Sequence, residues 1–278
     1  MKPEKNTIPR WMKAALALTL LALLAGTAWF YRVQERTVRQ SVEKRLASIA
    51  RLKADHIAAW RNERLADAAV LMESPFLDQG MARFLADPRG ENAEELRVRF
   101  RSLQTHCDYA DVLLADPEGR VRLSMNDHIE ARSGYASALA AALRDRKPVL
   151  TDLHTEAQNP TPHISVVAPL FAGNGQTRRS LGAIILVSDA SRFLYPLIQS
   201  WPIPSKTEET LLVRRDGDDA LFLNDLRHRP GTALKLRIPL SRTDIPAVMA
   251  VLGKEGLVES RDYNLSISFN TAKAMNGW

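Results

Sequence analysis

Residues 110–125 read Ala110-Asp-Val-Leu-Leu-Ala-Asp-Pro-Glu-Gly-Arg-Val-Arg-Leu-Ser-Met125. Two short apolar runs flank Asp116-Pro117-Glu118-Gly119. Proline suits the second position of a turn and glycine the fourth, so the stretch predicts a β-hairpin. It also marks a change of period, because the chain before it repeats its apolar residues every three to four positions. Downstream, residues 135–146 are rich in Ala and Leu and predict a helix. Residues 149–153, 163–171 and 181–187 predict three more strands, the last two joined through Gly173-Asn174-Gly175. Two strands, a helix and three strands with short turns make an antiparallel sheet, and a sheet needs cover on its buried face. The fold class expected is therefore α+β.

The cover lies upstream. Val38, Val42, Leu46, Ile49, Leu52, Ile57, Trp60, Leu65 and Leu71 recur at helical spacing, with Arg, Glu and Lys on the other faces. Residues 32–72 contain neither Pro nor Gly, so they predict one helix about 60 Å long at 1.5 Å per residue. A coiled-coil stalk would show the same pattern, but Trp60 and the alanines of residues 66–69 point to packing against something bulky. Ser74-Pro75 then predicts a cap and first-turn proline for a second helix, and Asp87-Pro88-Arg89-Gly90 a break. Asn92 with Glu95 resembles a capping box that starts a third helix through about Cys107.

Further upstream, residues 14–31 (AALALTLLALLAGTAWFY) carry no charge and are about long enough to cross a bilayer. Lys2, Lys5, Arg10 and Lys13 precede them against Glu4 alone, and Trp11, Trp29, Phe30 and Tyr31 lie at the two ends as interfacial aromatics do. This predicts a single-pass anchor in the bacterial inner (plasma) membrane, with the amino terminus cytoplasmic and the bulk of the chain extracytoplasmic. A cleaved signal peptide is the competing reading, with Gly26-Thr27-Ala28 as small residues for cleavage. Against it, three aromatics would begin the mature chain. Either way the remainder is exported.

After a short helix at residues 191–200 comes the proline-marked linker Trp201-Pro202-Ile203-Pro204-Ser205, and the pattern begins again. Residues 210–215 and 220–224 predict a second hairpin around Asp216-Gly217-Asp218-Asp219, residues 245–252 a helix and residues 257–263 a third strand. In the tail, Leu265, Ile267 and Phe269 alternate with Ser and Asn, enough for one more strand. The segments expected are thus a cytoplasmic tail (1–13), a membrane helix (14–31), a long helix with a helical layer (32–109), a distal unit (110–200), an incomplete membrane-proximal unit (201–263) and an atypical tail (264–278).

Composition narrows function. The 278 residues have 45% hydrophobic and 25% charged content and a net charge of +6. The basic residues are interspersed with acids, so no nucleic-acid partner is expected. One cysteine, Cys107, excludes an intrachain disulfide and any cysteine-rich metal site. His56, His106, His128, His154, His163 and His228 show no tight ligand pairing, and no nucleophile elbow, phosphate loop or zinc-protease helix occurs. Neither an enzyme, a resident cofactor nor a metal is expected.

A membrane helix, a long exported helix and two successive strand–strand–helix–strand units together resemble the double Cache (PAS-like) sensor domain of bacterial transmembrane receptors, of the sensor histidine kinase and diguanylate cyclase type. The similarity covers nearly the whole chain after residue 32. Its points are Ile57-Ala-Ala-Trp60-Arg-Asn-Glu-Arg64, Asp116-Pro-Glu-Gly119, Arg132-Ser-Gly-Tyr135 and Gly182-Ala-Ile-Ile-Leu-Val-Ser-Asp189. The resemblance implies that the distal unit holds a small ligand and that an output module lies beyond a second membrane helix. With neither present after residue 263, the chain is expected to be a receptor truncated before both. The resemblance also implies that Arg132 clamps a ligand carboxylate and Asp189 meets an amine. An arginine fork suits a carboxylate, and an ammonium needs an anionic acceptor. The family's amino-acid motif has Trp where this chain has Gly134 and Tyr where it has Asp127, which argues against an α-amino acid. Tyr135, Ser124 and Asn126 are candidate wall residues, and His163 and Ser165 share one face of an alternating strand. The ordinary alternatives are a surface charge for Arg132, a helix cap for Asp189 and a satisfied sheet residue for His163.

The function expected is a membrane-anchored sensor region for a carboxylate-bearing metabolite. A homodimer through the long helix is a candidate partner. The alternatives are a tethered solute-binding or interaction protein and a non-functional receptor fragment.

Overall fold

The computed structural model describes residues 9–126, 133–155, 160–173, 179–200, 209–261 and 267–272. Helix α1 (Arg10–Met72) is a single unbroken helix of 63 residues. Without Pro or a capping break between them, the apolar segment and the long helix that follows it form one rod. Its apolar end is long and apolar enough to cross a membrane, and none of that window is buried by the rest of the chain. Farther along, Lys53, Ile57 and Trp60, and two turns later Ala68 and Leu71, turn inward along one stripe of the helix and are buried. Trp60 stacks on Phe193 with ring centroids 5.2 Å apart, the bulky contact its position foretold.

Helices α2 (Pro75–Ala86) and α3 (Glu91–His106) complete the helical layer. Pro75 opens α2 as expected, but Ser74 makes no side-chain capping bond. Helix α3 starts at Glu91 with Gly90 as its cap, two residues before the expected cap position 92.

The sheet comprises β1 (Asp111–Ala115), β2 (Val121–Ser124), β3 (Val149–Leu150), β4 (His163–Ala172) and β5 (Arg179–Asp189), all antiparallel in the order β2-β1-β5-β4-β3. Helix α4 (Ala136–Asp145), entered through a 3-10 turn (Ser133–Tyr135), covers one face and α1–α3 cover the other. Val112, Leu114, Val166, Ala168, Ile184 and Leu186 meet the helical layer, while Leu113, Ala115, Val167, Ala183 and Ile185 meet α4. Double cover explains why β4 and β5 read as near-continuous apolar runs. Gly182 sits opposite a bulge at Leu170/Phe171 with φ of +119°, and a Cβ there would lie 2.0 Å from the Ala115 carbonyl oxygen. Only glycine lets the two strands approach so closely.

Helix α5 (Leu194–Gln199) leads to a second, smaller region with β6 (Val213–Asp216), β7 (Asp219–Phe222), β8 (Arg237–Pro239), α6 (Pro246–Val251), β9 (Gly256–Arg261) and β10 (Ile267–Ala272). The second hairpin forms as expected. The strand beside it, however, is β8, giving the order β6-β7-β8, while β9 pairs with β10 in a separate two-stranded sheet. Residues 257–263 therefore do not supply the third strand of the hairpin's sheet. At three residues ending in a proline, β8 carries no period that could announce it. Between the two regions Ile57 and Trp60 of α1, Leu153, Ile164, Leu194, Ile198, Leu221 and Leu223 form a shared core. Lys53 enters its edge, its Nζ donating to the Ile198 carbonyl and, at 2.9 Å, to Thr210 Oγ1. Burial pulls the Lys53 ammonium down to about 8 from the ordinary 10.5.

Candidate functional site

Strand register decides which side chains share a face. Asp111 lies opposite Val187, and Val187 opposite Ser165, while Asp189 lies opposite His163 and Ser124 opposite Leu113. Directly opposed residues of an antiparallel pair project to the same side. Asp111, Ser124, His163, Ser165 and Asp189 therefore lie on the α4 face. Toward the middle of the strands this face is apolar and closed by α4. At the other end it becomes a row of polar groups, with Asp111 3%, Ser124 5%, His163 2% and Ser165 2% exposed. Polar side chains so deeply placed must be hydrogen-bonded to be tolerated.

Their partners follow. Asp111 Oδ1 accepts the backbone N–H groups of Val112 (2.8 Å) and Met125 (3.1 Å), and its Oδ2 accepts the Ser124 hydroxyl at 3.0 Å. Asn126 pins the end of β2: its Nδ2 donates to the Ala110 carbonyl at 2.9 Å and its Oδ1 accepts from Gln104 Nε2 of α3 at 3.1 Å. The Ser165 N–H donates to Thr151 Oγ1 at 2.9 Å. Asp189 Oδ1 accepts the Ser191 N–H (2.8 Å) and hydroxyl (2.6 Å), a local turn-capping arrangement at the mouth of the face. Tyr135 is 2% exposed, packs in the α4-side core and donates its hydroxyl to the Gly119 carbonyl at 3.2 Å.

Two histidines close the row. His154 and His163 meet edge to face, ring centroids 4.3 Å apart, and their backbones bond reciprocally. His154 Nδ1 lies 2.8 Å from the Asp152 carbonyl and His163 Nδ1 2.9 Å from that of Thr161, so in each ring Nδ1 carries the proton. His154 Nε2 is buried without a hydrogen-bond partner. Its ring presents the Cδ2–Nε2 edge to the space over Gly134, where a Cβ would be 2.3 Å from both atoms. The imidazole thus takes the volume that any side chain at residue 134 would need.

Of the candidate residues, the structure brings Ser124, His163 and Ser165 onto one buried polar face, with Asp189 at its rim. Asn126 sits at the edge, tied to α3, and Tyr135 supports the wall from the core. Arg132, Asp127 and His128 lie outside the described residues. Reading the sequence did not single out Asp111, Thr151 or His154. A polar residue opening an otherwise apolar strand is the one available signal for Asp111. Among the described residues, no three metal-ligating side chains converge.

The α+β architecture, with a five-stranded antiparallel sheet between a long helix and a short one, is similar in fold to solved ligand-binding domains of bacterial receptors. One such structure is the ligand-binding domain of the Pseudomonas aeruginosa PAO1 amino acid chemoreceptor PctC, solved in complex with GABA. The TM-score is 0.55 at 16% identity, over 85% of this chain and 95% of that one. An extracellular ligand-binding receptor from Desulfohalobium retbaense superposes with a TM-score of 0.50 at 14% identity, over 78% of this chain and 36% of its own. The Vibrio cholerae histidine kinase DctB sensor domain matches at 0.47 and 15% identity, over 60% of this chain, which spans 61% of that domain. No family model matches the sequence and no curated protein does.

Proposed function

We propose that the chain is the membrane-anchored, extracytoplasmic sensor region of a signalling receptor, that it is not an enzyme, and that its distal unit binds a small carboxylate-bearing metabolite. The buried polar row on the α4 face carries this reading. Asp111, Ser124, His163 and Ser165 share this face at 2–5% exposure, a concentration of buried polar side chains unusual for a sheet covered on both sides. Arg132, which the family resemblance assigns to this role, supplies the cationic fork for a carboxylate. The GABA bound by PctC has a carboxylate and an amine, the two groups that Arg132 and Asp189 suit. The helix rod gives the anchor, with residues 14–31 in the bilayer and the sheet units outside the cytoplasm. A homodimer through α1 is consistent with the exposure of residues 11–41.

The test is a thermal-shift screen of the full chain in lipid nanodiscs against organic acids, amino acids and amines, followed by calorimetry on the hits. A ligand raises the melting temperature by mass action. With a carboxylate hit, Arg132→Ala weakens affinity about ten- to a hundredfold, the worth of one charge-assisted hydrogen bond. A screen in which only non-carboxylate compounds bind, or an affinity unchanged in Arg132→Ala, overturns the reading.

A further inference from the structure

Residues 151–154 connect β3 to the bridge with β4, and each of them is committed to a different part of the molecule. Thr151 bonds Ser165 in both directions, through its backbone N–H at 2.8 Å and its Oγ1 at 2.9 Å. Asp152 is ion-paired with Arg214 of the second region, 3.3 Å from Nη1, and the same nitrogen donates to the Leu153 carbonyl at 3.3 Å. Leu153 is fully buried in the core shared by Ile57 and Trp60 of α1 and by Leu221 and Leu223 on and after β7. His154 lies on the candidate site, seated over Gly134 and against His163.

We propose that residues 151–154 form a lever that transmits the state of the distal site to the second region and to α1, with His154 as its sensing end and Asp152 and Leu153 as its working end. The proposal concerns regulation of the site described above and rests on that site being where a ligand binds. The contact with Gly134 leaves no slack, so a shift of the 3-10 turn toward the sheet must move the imidazole. Nδ1 ties the ring to the Asp152 carbonyl, and the backbone pairing with His163 ties it to β4, so movement of the ring moves residues 152 and 153. Close-packed cores move between discrete arrangements instead of deforming smoothly, so a displaced Leu153 repacks Trp60 and Leu221 together. The unpartnered Nε2 supplies the bias. A ligand hydroxyl or ammonium that donates to it can do so only with the ring out of its seat, which couples binding to displacement.

The experiment needs no ligand, because Gly134→Ala imitates the displacement. Hydrogen exchange on the full chain in lipid nanodiscs should show at least tenfold faster exchange at residues 151–155 and also at residues 213–223. Acceleration confined to residues 133–136 and 154, with residues 213–223 unchanged, overturns the lever. The double variant Gly134→Ala/His154→Ala removes the clash, and residues 213–223 should return to within twofold of the wild-type rate. If they stay fast, the signal does not pass through His154 and the proposal fails. Should Gly134→Ala not fold, Arg214→Gln is read at residues 151–155, where exchange should rise at least threefold and an unchanged rate refutes the coupling. A ligand screen with no carboxylate hit would remove the binding reading but would not alter these exchange rates, so the two failures are distinguishable.

Discussion

The two regions begin from the same local instruction, a hairpin around an acidic turn followed by a helix, and finish differently. In the distal unit β4 and β5 run for 10 and 11 residues and are buried on both faces. In the second region the hairpin strands β6 and β7 have 4 residues each and β8, the one strand added to their sheet, has 3, with β6 and β8 only half-buried or exposed. The difference lies in what covers each sheet. The distal one has α1–α3 on one side and α4 on the other, and only a doubly covered sheet can keep polar groups out of water and so use them selectively. The smaller sheet leans on the shared core and on α6, and its polar groups are mostly in solvent.

Glycine substitutions should separate the two regions most sharply. Gly182→Ala places a Cβ against the Ala115 carbonyl, so it should cost more than about 3 kcal/mol in urea unfolding. Gly217→Ala, at φ of +62° with open space around it, should cost only about 1 kcal/mol. Similar costs at the two positions would mean that the β1–β5 contact is not tight. Leu153→Ala should cost roughly 3 kcal/mol, with a cavity in the core that the regions share, so both should lose exchange protection together. Loss in one region alone would show that they fold independently.

Lys53 yields a pH test. Its folded-state value is depressed, so the burial penalty is fully present below pH 8, where the lysine is charged folded and unfolded alike. As pH rises above 8 the folded form releases its proton before the unfolded one does, and stability rises by about 2 kcal/mol up to pH 10. Beyond that, Tyr109 and Tyr195, both held above their ordinary range by burial, begin to oppose the gain. In Lys53→Met the rise should vanish in thermal melts across pH 7.5–10, and its persistence would assign it to another group. The smallest effect is expected for Arg214→Gln. Its partner Asp152 is 66% exposed, so loss of the ion pair should change global stability by no more than about 1 kcal/mol. A larger loss would make Arg214 part of the folding core instead of a connection between regions.

Much of the frame was legible because it is local. The turn at Asp116-Pro117-Glu118-Gly119, the unbroken period of α1 and the long apolar runs of β4 and β5 announce themselves through spacing and backbone preference. The strand β8 does not, since three residues held by neighbours carry no period of their own. Ser124, His163 and Ser165 could be named as polar positions on strands. Whether they faced the helical layer or α4 depended on register, which a one-residue slip would reverse.

What the sequence by itself determined is therefore the order of elements, the apolar segment that continues into the long helix, and the chemistry available on each strand. These follow from nearest-neighbour sterics and from periodicities of a few residues. What only the tertiary structure decided is which of those groups meet. Asp111 reaches Ser124 across a hairpin, Arg214 reaches Asp152 from another sheet, and His154 settles over Gly134 from twenty residues away. Such contacts are set by how separate elements pack, and packing depends on the shapes of residues distant in the chain.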